Sequence, residues 1–385
     1  MPGTHKKYSP SGASRWLECP GSLSLPGEDR ESVYAAEGTA AHALIHCCFL
    51  LGYDPAEFVG QSINGFEVDA DMAEHVQLML DVIEAEFDAL PGDSKDVDME
   101  VRFEYSRNSD FGGTIDCLVM SDQGFVIADY KHGVGVAVDI DDNPQLSCYA
   151  VLAREHWLKH YDRPVEDCRC VAMVIVQPRA THAQGPVRRQ VLDNEYLDNF
   201  EAQLNSVFEM EVDVSNSEFF SAGDHCRWCP AKRECPHLHD LTIEIAQAEF
   251  DESSMTPERA AEILTQEKAI KAYLESISQW AHGQMDKGVP VPGFKLVTSL
   301  GNRRYKFGED EVVKFCRNRK FGKRQITKSV LMSPAQLEKV IGKSLISKLV
   351  ERPDKGTVLV PEHDKRGAVG PSSAADDFSL VAKDG

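Results

Sequence analysis

The sequence predicts an α/β fold, a mixed β-sheet flanked by helices, followed by a helical C-terminal region. Three observations predict it. Helical and strand-like patterns alternate along the first 211 residues, in the order helix, strand, strand, strand, helix, strand, helix. "IDCLVMSDQGFVIAD" (115–129) reads as two apolar runs about a polar turn. "CVAMVIVQPR" (170–179) has the continuous apolar character of a buried strand.

Taken in order, residues 1–30 are loop-rich, with a short helix expected around Ser11 to Glu18. "EGTAAHALIHCCFLLG" (37–52) reads as a helix with Thr39 near its start and Gly52 as its stop. In 69–90, Met72, Val76, Met79, Leu80, Ile83 and Phe87 recur at helical spacing. "PGDSKD" breaks that helix, and "VDMEVRFEY" (97–105) leads as a strand into the hairpin. "NPQLSCYAVLAREHWLKHY" (143–161) is a helix with Asn143 as N-cap and Pro144 at its first position. Another helix covers 194–211, and 240–287 is strongly helical.

The expected organisation is a core over 1–240, a helical and basic region over 241–366, and a disordered Ser, Ala, Asp and Gly-rich tail over 367–385. In the second region, "GNRRYKFGEDEVVKFCRNRKFGKRQITK" (301–328) holds the densest positive charge. It is either a solvated face or a DNA-backbone contact with Tyr305, Phe307 and Phe321 interleaved. "SPAQLEKVIGKSLISKLVER" (333–352) is a short helical element.

Composition excludes some classes. The chain has 385 residues and a net charge of −21, which argues against a protein that coats nucleic acid. It leaves room for an enzyme that acts on DNA through a local basic groove. No apolar run approaches the ~20 residues of a membrane span, and "MPGTHKKYSP" lacks the apolar core of a signal peptide. The expectation is a soluble protein of the cytoplasm with no membrane partner. Eleven cysteines, an odd number, argue against a disulfide framework.

The hairpin carries the first chemical signal. If Asp122 and Gln123 are its loop residues, facing positions sum to 245, which sets Asp116 opposite Asp129. Lys131 follows two residues later on the same face. Facing side chains have Cβ atoms roughly 4.5–5.5 Å apart, where like charges repel. A hard divalent cation such as Mg²⁺ resolves that conflict. The competing reading is an exposed hairpin with scattered charges, and a one-residue slip would break the pairing. His42 and His46 lie one helical turn apart, but Ala43 stands where a zinc protease needs its Glu. The plain reading of His42 is a satisfied core histidine.

The second signal is "CRWCPAKRECPHLH" (226–239), with Cys226, Cys229 and Cys235 in C-x2-C-x5-C spacing. Thiolates at this spacing suit an iron–sulfur cluster or zinc. His237 or His239 could complete a zinc site. Cys19, followed by proline like Cys229 and Cys235, is the best distant ligand for a cluster. Chance thiols are the third possibility. The other seven cysteines (Cys47, Cys48, Cys117, Cys148, Cys168, Cys170 and Cys316) read as small core residues.

His42, Asp116 in "GGTID", "DYK" at 129–131 and Gln145-x3-Tyr149 form an ordered set. This set resembles the PD-(D/E)XK nuclease superfamily, in particular its RecB-like branch. With Cys19 upstream and three cysteines downstream, the layout is similar to the iron–sulfur subgroup. That subgroup holds the AddB-type recombination nucleases and the CRISPR-adaptation exonucleases. The layout also resembles a phage and prophage family with this core and an added C-terminal region. The likeness covers roughly residues 9–240. One departure is Asp129, where the family often has Glu.

The resemblance implies a metal-dependent DNA nuclease, in the first place an exonuclease of phage recombination, replication or repair in a bacterial host cytoplasm. It implies His42, Asp116, Asp129 and the Tyr130 carbonyl as ligands of Mg²⁺ or Mn²⁺, the imidazole favouring Mn²⁺. It implies that Lys131 orients water or stabilises the phosphate, and that Gln145 and Tyr149 position the DNA strand or the lysine. Cys19, Cys226, Cys229 and Cys235 would hold a [4Fe-4S] cluster, with Zn²⁺ as the alternative, tying the N-terminus to the segment after the core. Implied partners are DNA ends or single strands, and a phage single-strand-binding protein, helicase or recombinase. The alternative functions are a silent module that grips DNA ends or recruits a partner, and a zinc scaffold.

Overall fold

The computed structural model describes residues 6–27, 33–134, 136–247, 256–300, 304–326, 334–351 and 354–361. The expected tail at 367–385 lies outside them. Two compact units divide the chain, Met1–Tyr273 and Leu274–Gly385. The division falls later than residue 240 because Leu238, Ala269 and Tyr273 pack in one cluster with Cys19, Cys226 and Cys235.

The first unit is built on a five-stranded sheet of β1 (Lys95–Tyr105), β2 (Asn108–Ser121), β3 (Gly124–Tyr130), β4 (Cys170–Val176) and β5 (Val187–Leu192), in that spatial order. The first three strands form an antiparallel meander, β3 and β4 are parallel, and β5 returns antiparallel. Both β3 and β4 are apolar along almost their whole length because helices cover both faces.

One face is covered by α1 (Val33–Leu51) and α2 (Ala70–Ala89), whose Leu44, Ile45, Met72, Val76 and Met79 meet Val119, Val126, Ala128 and Val174. The other is covered by α3 (Pro144–Tyr161) and α4 (Asn194–Phe208), with Trp157, Leu146 and Leu197 against Leu118, Phe125, Ile127 and Met173. The N-terminal segment joins this second core through Tyr8 and Trp16. The periodic helix at 69–90 is α2, capped by Asp69, which accepts from Met72 N. Asn143 caps α3 by accepting from Leu146 N, with Pro144 at the first position as expected.

Strand β5 is absent from the sequence reading. "VRRQVL" reads as polar, yet Arg188 is fully buried. It reaches that position because its guanidinium donates to Gln177 Oε1 (2.8 Å) and to the Gly185 carbonyl (2.9 Å). In the segment predicted as strongly helical lie α5 (Pro236–Gln247), α6 (Pro257–Thr265) and α7 (Glu267–Asp286).

The second unit contains the expected helices, among them α8 (Glu309–Arg317) and α9 (Pro334–Ile341), and also strands that were not predicted. Phe294–Leu300 pairs antiparallel with Asp354–Pro361, and Arg304–Tyr305 with Val350–Glu351. Val312, Cys316, Ile326, Leu337 and Leu349 form its core. Tyr305, Phe315 and Phe321 pack against that core, which leaves Phe307 exposed among the four aromatic residues of the basic stretch.

Candidate metal centre

The hairpin register is the predicted one. Pairs from Cys117↔Ala128 to Ser121↔Gly124 all sum to 245, and Asp116 and Asp129 lie one step beyond. The main chain ties that step, since Tyr130 N donates to Asp116 Oδ2 at 2.8 Å. The Tyr130 side chain faces the α1/α2 core. Asp129 points to the other face with Phe125 and Ile127, toward α3, and is buried. Lys131 Nζ donates to Asp129 Oδ1 (3.1 Å) and to Gln145 Oε1 (3.0 Å), and lies 2.9 Å from Asp129 Oδ2. Gln145 Nε2 donates back to Asp129 Oδ1 (3.3 Å) and to the Tyr149 hydroxyl (3.5 Å). Gln145 and Tyr149 share one face of α3, as their i,i+4 spacing requires.

The sequence reading missed one residue. His42 Nδ1 lies 3.3 Å from Glu100 Oε1 and 3.7 Å from Asp116 Oδ1. Together the three offer ligand atoms all within 4.8 Å of one another. Glu100 stands in β1, between the pairs Met99↔Cys117 and Val101↔Ile115, and so beside Asp116. It adopts φ +53°, a left-handed conformation that costs an ordinary residue about 1–2 kcal/mol. The kink switches the strand's facing. Val97 and Met99 pack on the α1/α2 core, whereas Phe103 and Tyr105, of the same parity, pack on the α3/α4 core. In β2 the same switch falls at Asp116, with Cys117 and Val119 on one side and Phe111 and Ile115 on the other. By alternation alone Glu100 was one more solvent-side acid, like Asp98 or Glu104. The signal that could have found it is the β1–β2 register, which sums to 216 and sets Glu100 against Asp116.

Electrostatics record the crowding of acids. Burial and the neighbouring Asp129 carboxylate push Asp116 up to about 7. Burial disfavours the His42 charge, but Asp116, Glu100 and Asp129 outweigh it and raise His42 to about 9. Lys131 follows the same logic: burial opposes its charge, and Asp129 and Asp116 raise its pKa, so it stays an ammonium. Burial raises the Tyr149 phenol further from ionisation. This donor set of one imidazole and clustered carboxylate oxygens is the chemistry a hard divalent cation takes. Asp129 Oδ2 supports the fit, because it is buried without an aligned hydrogen bond and has only the ion-pair contact with Lys131.

Glu37 lies inside α1 rather than at its start. It is the fifth residue of α1 and accepts from Arg179 NH1 at 2.7 Å, with His132 Nε2 3.4 Å away. The Tyr130 hydroxyl lies 2.9 Å from His132 Nδ1, so this network braces the far side of the "DYK" strand.

Cys19, Cys226, Cys229 and Cys235 are all buried and none is in a disulfide. Burial, with the thiols of Cys229, Cys19 and Cys235 close by, pushes Cys226 up to about 11. The N-terminal segment lies directly on the cysteine segment. Ser221 Oγ donates to the Glu18 carbonyl at 2.5 Å, and a Cβ on Gly27 would come within 2.7 Å of the Pro230 main chain. Of the remaining cysteines, Cys48, Cys117, Cys148, Cys168 and Cys316 are buried, and Cys47 and Cys170 are half-buried.

Fold and side chains thus define a mixed α/β protein with a carboxylate–histidine–lysine centre able to hold a cation. The chain belongs to the family described as "Protein of unknown function (DUF2800)", which matches residues 5–367. A crystal structure of a "Putative exonuclease" from Eubacterium rectale is similar over 53% of this chain and 81% of that one, with 13% identity and a TM-score of 0.30. So loose a likeness carries no weight beside the geometry above. No described helix is long and apolar enough to cross a membrane.

Proposed function

We propose that the chain is a divalent-metal-dependent DNA nuclease of the PD-(D/E)XK type, in its RecB-like branch, working as an exonuclease on phage or prophage DNA in a bacterial cytoplasm. The observation that carries this reading is Lys131, bonded at once to Asp129 and Gln145 beside the His42–Glu100–Asp116 group. A structural ion pair needs no third partner and no adjacent cation site. The same contact favours an active enzyme over a silent DNA-end-binding module, because it keeps the lysine aimed and charged.

His42, Glu100, Asp116 and Asp129 would hold Mg²⁺ or Mn²⁺, with the Tyr130 carbonyl as a further ligand. When bound, such an ion neutralises phosphate oxygens and lowers the pKa of water. The chain's own residues supply the rest. Lys131, kept cationic by the two aspartates, stabilises the negative charge that builds on the phosphate. Gln145 fixes the lysine and Asp129 in one orientation. Tyr149 remains a neutral hydroxyl that can donate to a phosphate oxygen. The four buried cysteines offer soft ligands suited to a [4Fe-4S] cluster, with zinc as the alternative. Their role in this reading is to fasten the first 27 residues to the segment after α4.

Digestion of end-labelled linear and circular DNA with Mn²⁺ or Mg²⁺ tests the proposal, comparing wild type with Lys131→Ala and Asp116→Ala. Degradation of linear but not circular DNA, abolished by both substitutions, is the expected result. A metal-loaded wild type that cuts nothing would move the reading to the silent end-binding module. Absorbance near 400 nm in anaerobically purified protein, lost in Cys229→Ser, would support the cluster over zinc.

A further inference from the structure

Two cavities adjoin the first turn of α3. One, of about 530 Å³, is lined by Ser14, Glu18, Pro144, Ser221, His225 and Trp228 among others. The other, of about 370 Å³, shares Ser14, Glu18 and Pro144 and reaches Tyr196 and Phe200, whose rings stack with planes 2° apart. They form one groove. Pro144 is the first residue of α3, and Gln145, next in the chain, bonds Asp129 and Lys131. The groove therefore includes the residue that precedes Gln145 in the chain.

At its far end stands Trp228. It is 69% exposed, more than any other large apolar side chain among the described residues. By contrast, Trp16 and Trp157 are fully buried in the same unit. The Arg227 guanidinium covers one side of the indole at 4.8 Å. Trp228 sits in a short turn between the buried Cys226 and Cys229, so its main chain is held on both sides. An open indole face with a cation on its other side is a stacking surface for a flat π-system.

We infer that Trp228 is a stacking platform for an unpaired nucleobase, holding the single strand whose end enters the metal centre. This rests on the nuclease reading for the identity of the substrate. It selects single-stranded over duplex DNA, because a base stacked inside a duplex offers no free face to the indole. Grip by base faces also fits the charges of the groove. Glu18, Asp142 and Asp224 line it, Asp224 is paired with Lys268, and the one cation tied to its aromatic face is Arg227, over the Trp228 ring. Binding here should fall little with added salt, unlike binding through many phosphate contacts.

The test uses the full chain in buffer without divalent ions, so that nothing is cut. In a Trp280→Phe background, quenching of exposed indole emission reports Trp228, because Trp280 is the other exposed tryptophan. The probes are short oligothymidylate, blunt duplex and oligolysine. Expected are quenching by oligothymidylate but not by duplex and, by anisotropy of labelled oligothymidylate, an affinity weakened about 5- to 150-fold in Trp228→Ala. Trp228→Phe should retain most of that affinity. Equal oligothymidylate affinity in Trp228→Ala overturns the proposal. So does quenching by oligolysine alone, which would make the groove a site for a basic peptide. Binding through Trp228 by a protein that never cleaves would remove the nuclease reading and leave the platform standing.

Discussion

Asp116 has a carboxylate on either side, Glu100 in β1 and Asp129 in β3, with His42 and Lys131 to offset them. The pH dependence follows from the signs. His42 is raised from 6.5 to about 9, so its charge contributes stability that is complete below 6.5 and lost as pH rises through about 9. Asp116 is raised from 3.8 to about 7, so its ionisation costs stability, beginning above 3.8 and complete above about 7. Both make the metal-free centre weaker in alkali. A divalent cation must displace these protons, so its affinity should climb from about pH 6 to about pH 9 with proton release on binding. Calorimetry in buffers of different ionisation enthalpy reads both quantities, and an affinity flat across that window would contradict the assignment. Asp116→Asn removes a repelled charge while its amide oxygen can still accept from Tyr130 N. It should stabilise the metal-free protein by about 1 kcal/mol near pH 8 and abolish metal binding. Denaturant titration with and without Mn²⁺ checks it.

Among the elements, α3 matters most to the site, because its first turn delivers Gln145. Asn143→Ala removes the side-chain cap on Leu146 N and should cost about 1 kcal/mol. Fraying of that turn should lower kcat more than stability alone explains, and Asn143→Asp, which keeps the cap, should restore it. Steady-state kinetics beside a melting curve separates the two effects. The elements legible in sequence were those whose local chemistry agrees with their tertiary role. The Ser121–Gly124 turn fixes the β2–β3 register, and Asn143-Pro144 marks the start of α3. What stayed hidden depended on distant contacts. Arg188 disguised β5 because its burial depends on Gln177, eleven residues and a turn away. Glu100 was hidden because a left-handed residue inside a strand leaves no mark on hydrophobic alternation until its neighbouring strand is known. The carboxylates of Asp116 and Asp129 were readable from one hairpin, whereas the third carboxylate required a second.

At the scale of the molecule, the first unit is closed by its own ends. Tyr8 bridges to Phe111 at the far end of β2, and Cys19 packs with Phe220, Cys226 and Cys235. If a metal or cluster joins these thiols, Cys19→Ser reopens a loop of roughly 200 residues, a loss of about 3–5 kcal/mol on loop-closure grounds. The expected outcome is a lowered melting temperature and early proteolysis within the first 27 residues. Unchanged metal content and melting would reject the cross-link. That closure also orders events in time. On a ribosome adding about 5–20 residues per second, Cys19 emerges some 10–40 s before Cys235. Late in that interval, once the strands up to Leu192 are made, His42, Asp116 and Lys131 can meet and Tyr8 and Trp16 can dock on the sheet, but Cys19 still lacks the three later thiols. On that proposal, a pause in synthesis before residue 226 would hold the chain with its sheet formed and Cys19 without its later partners.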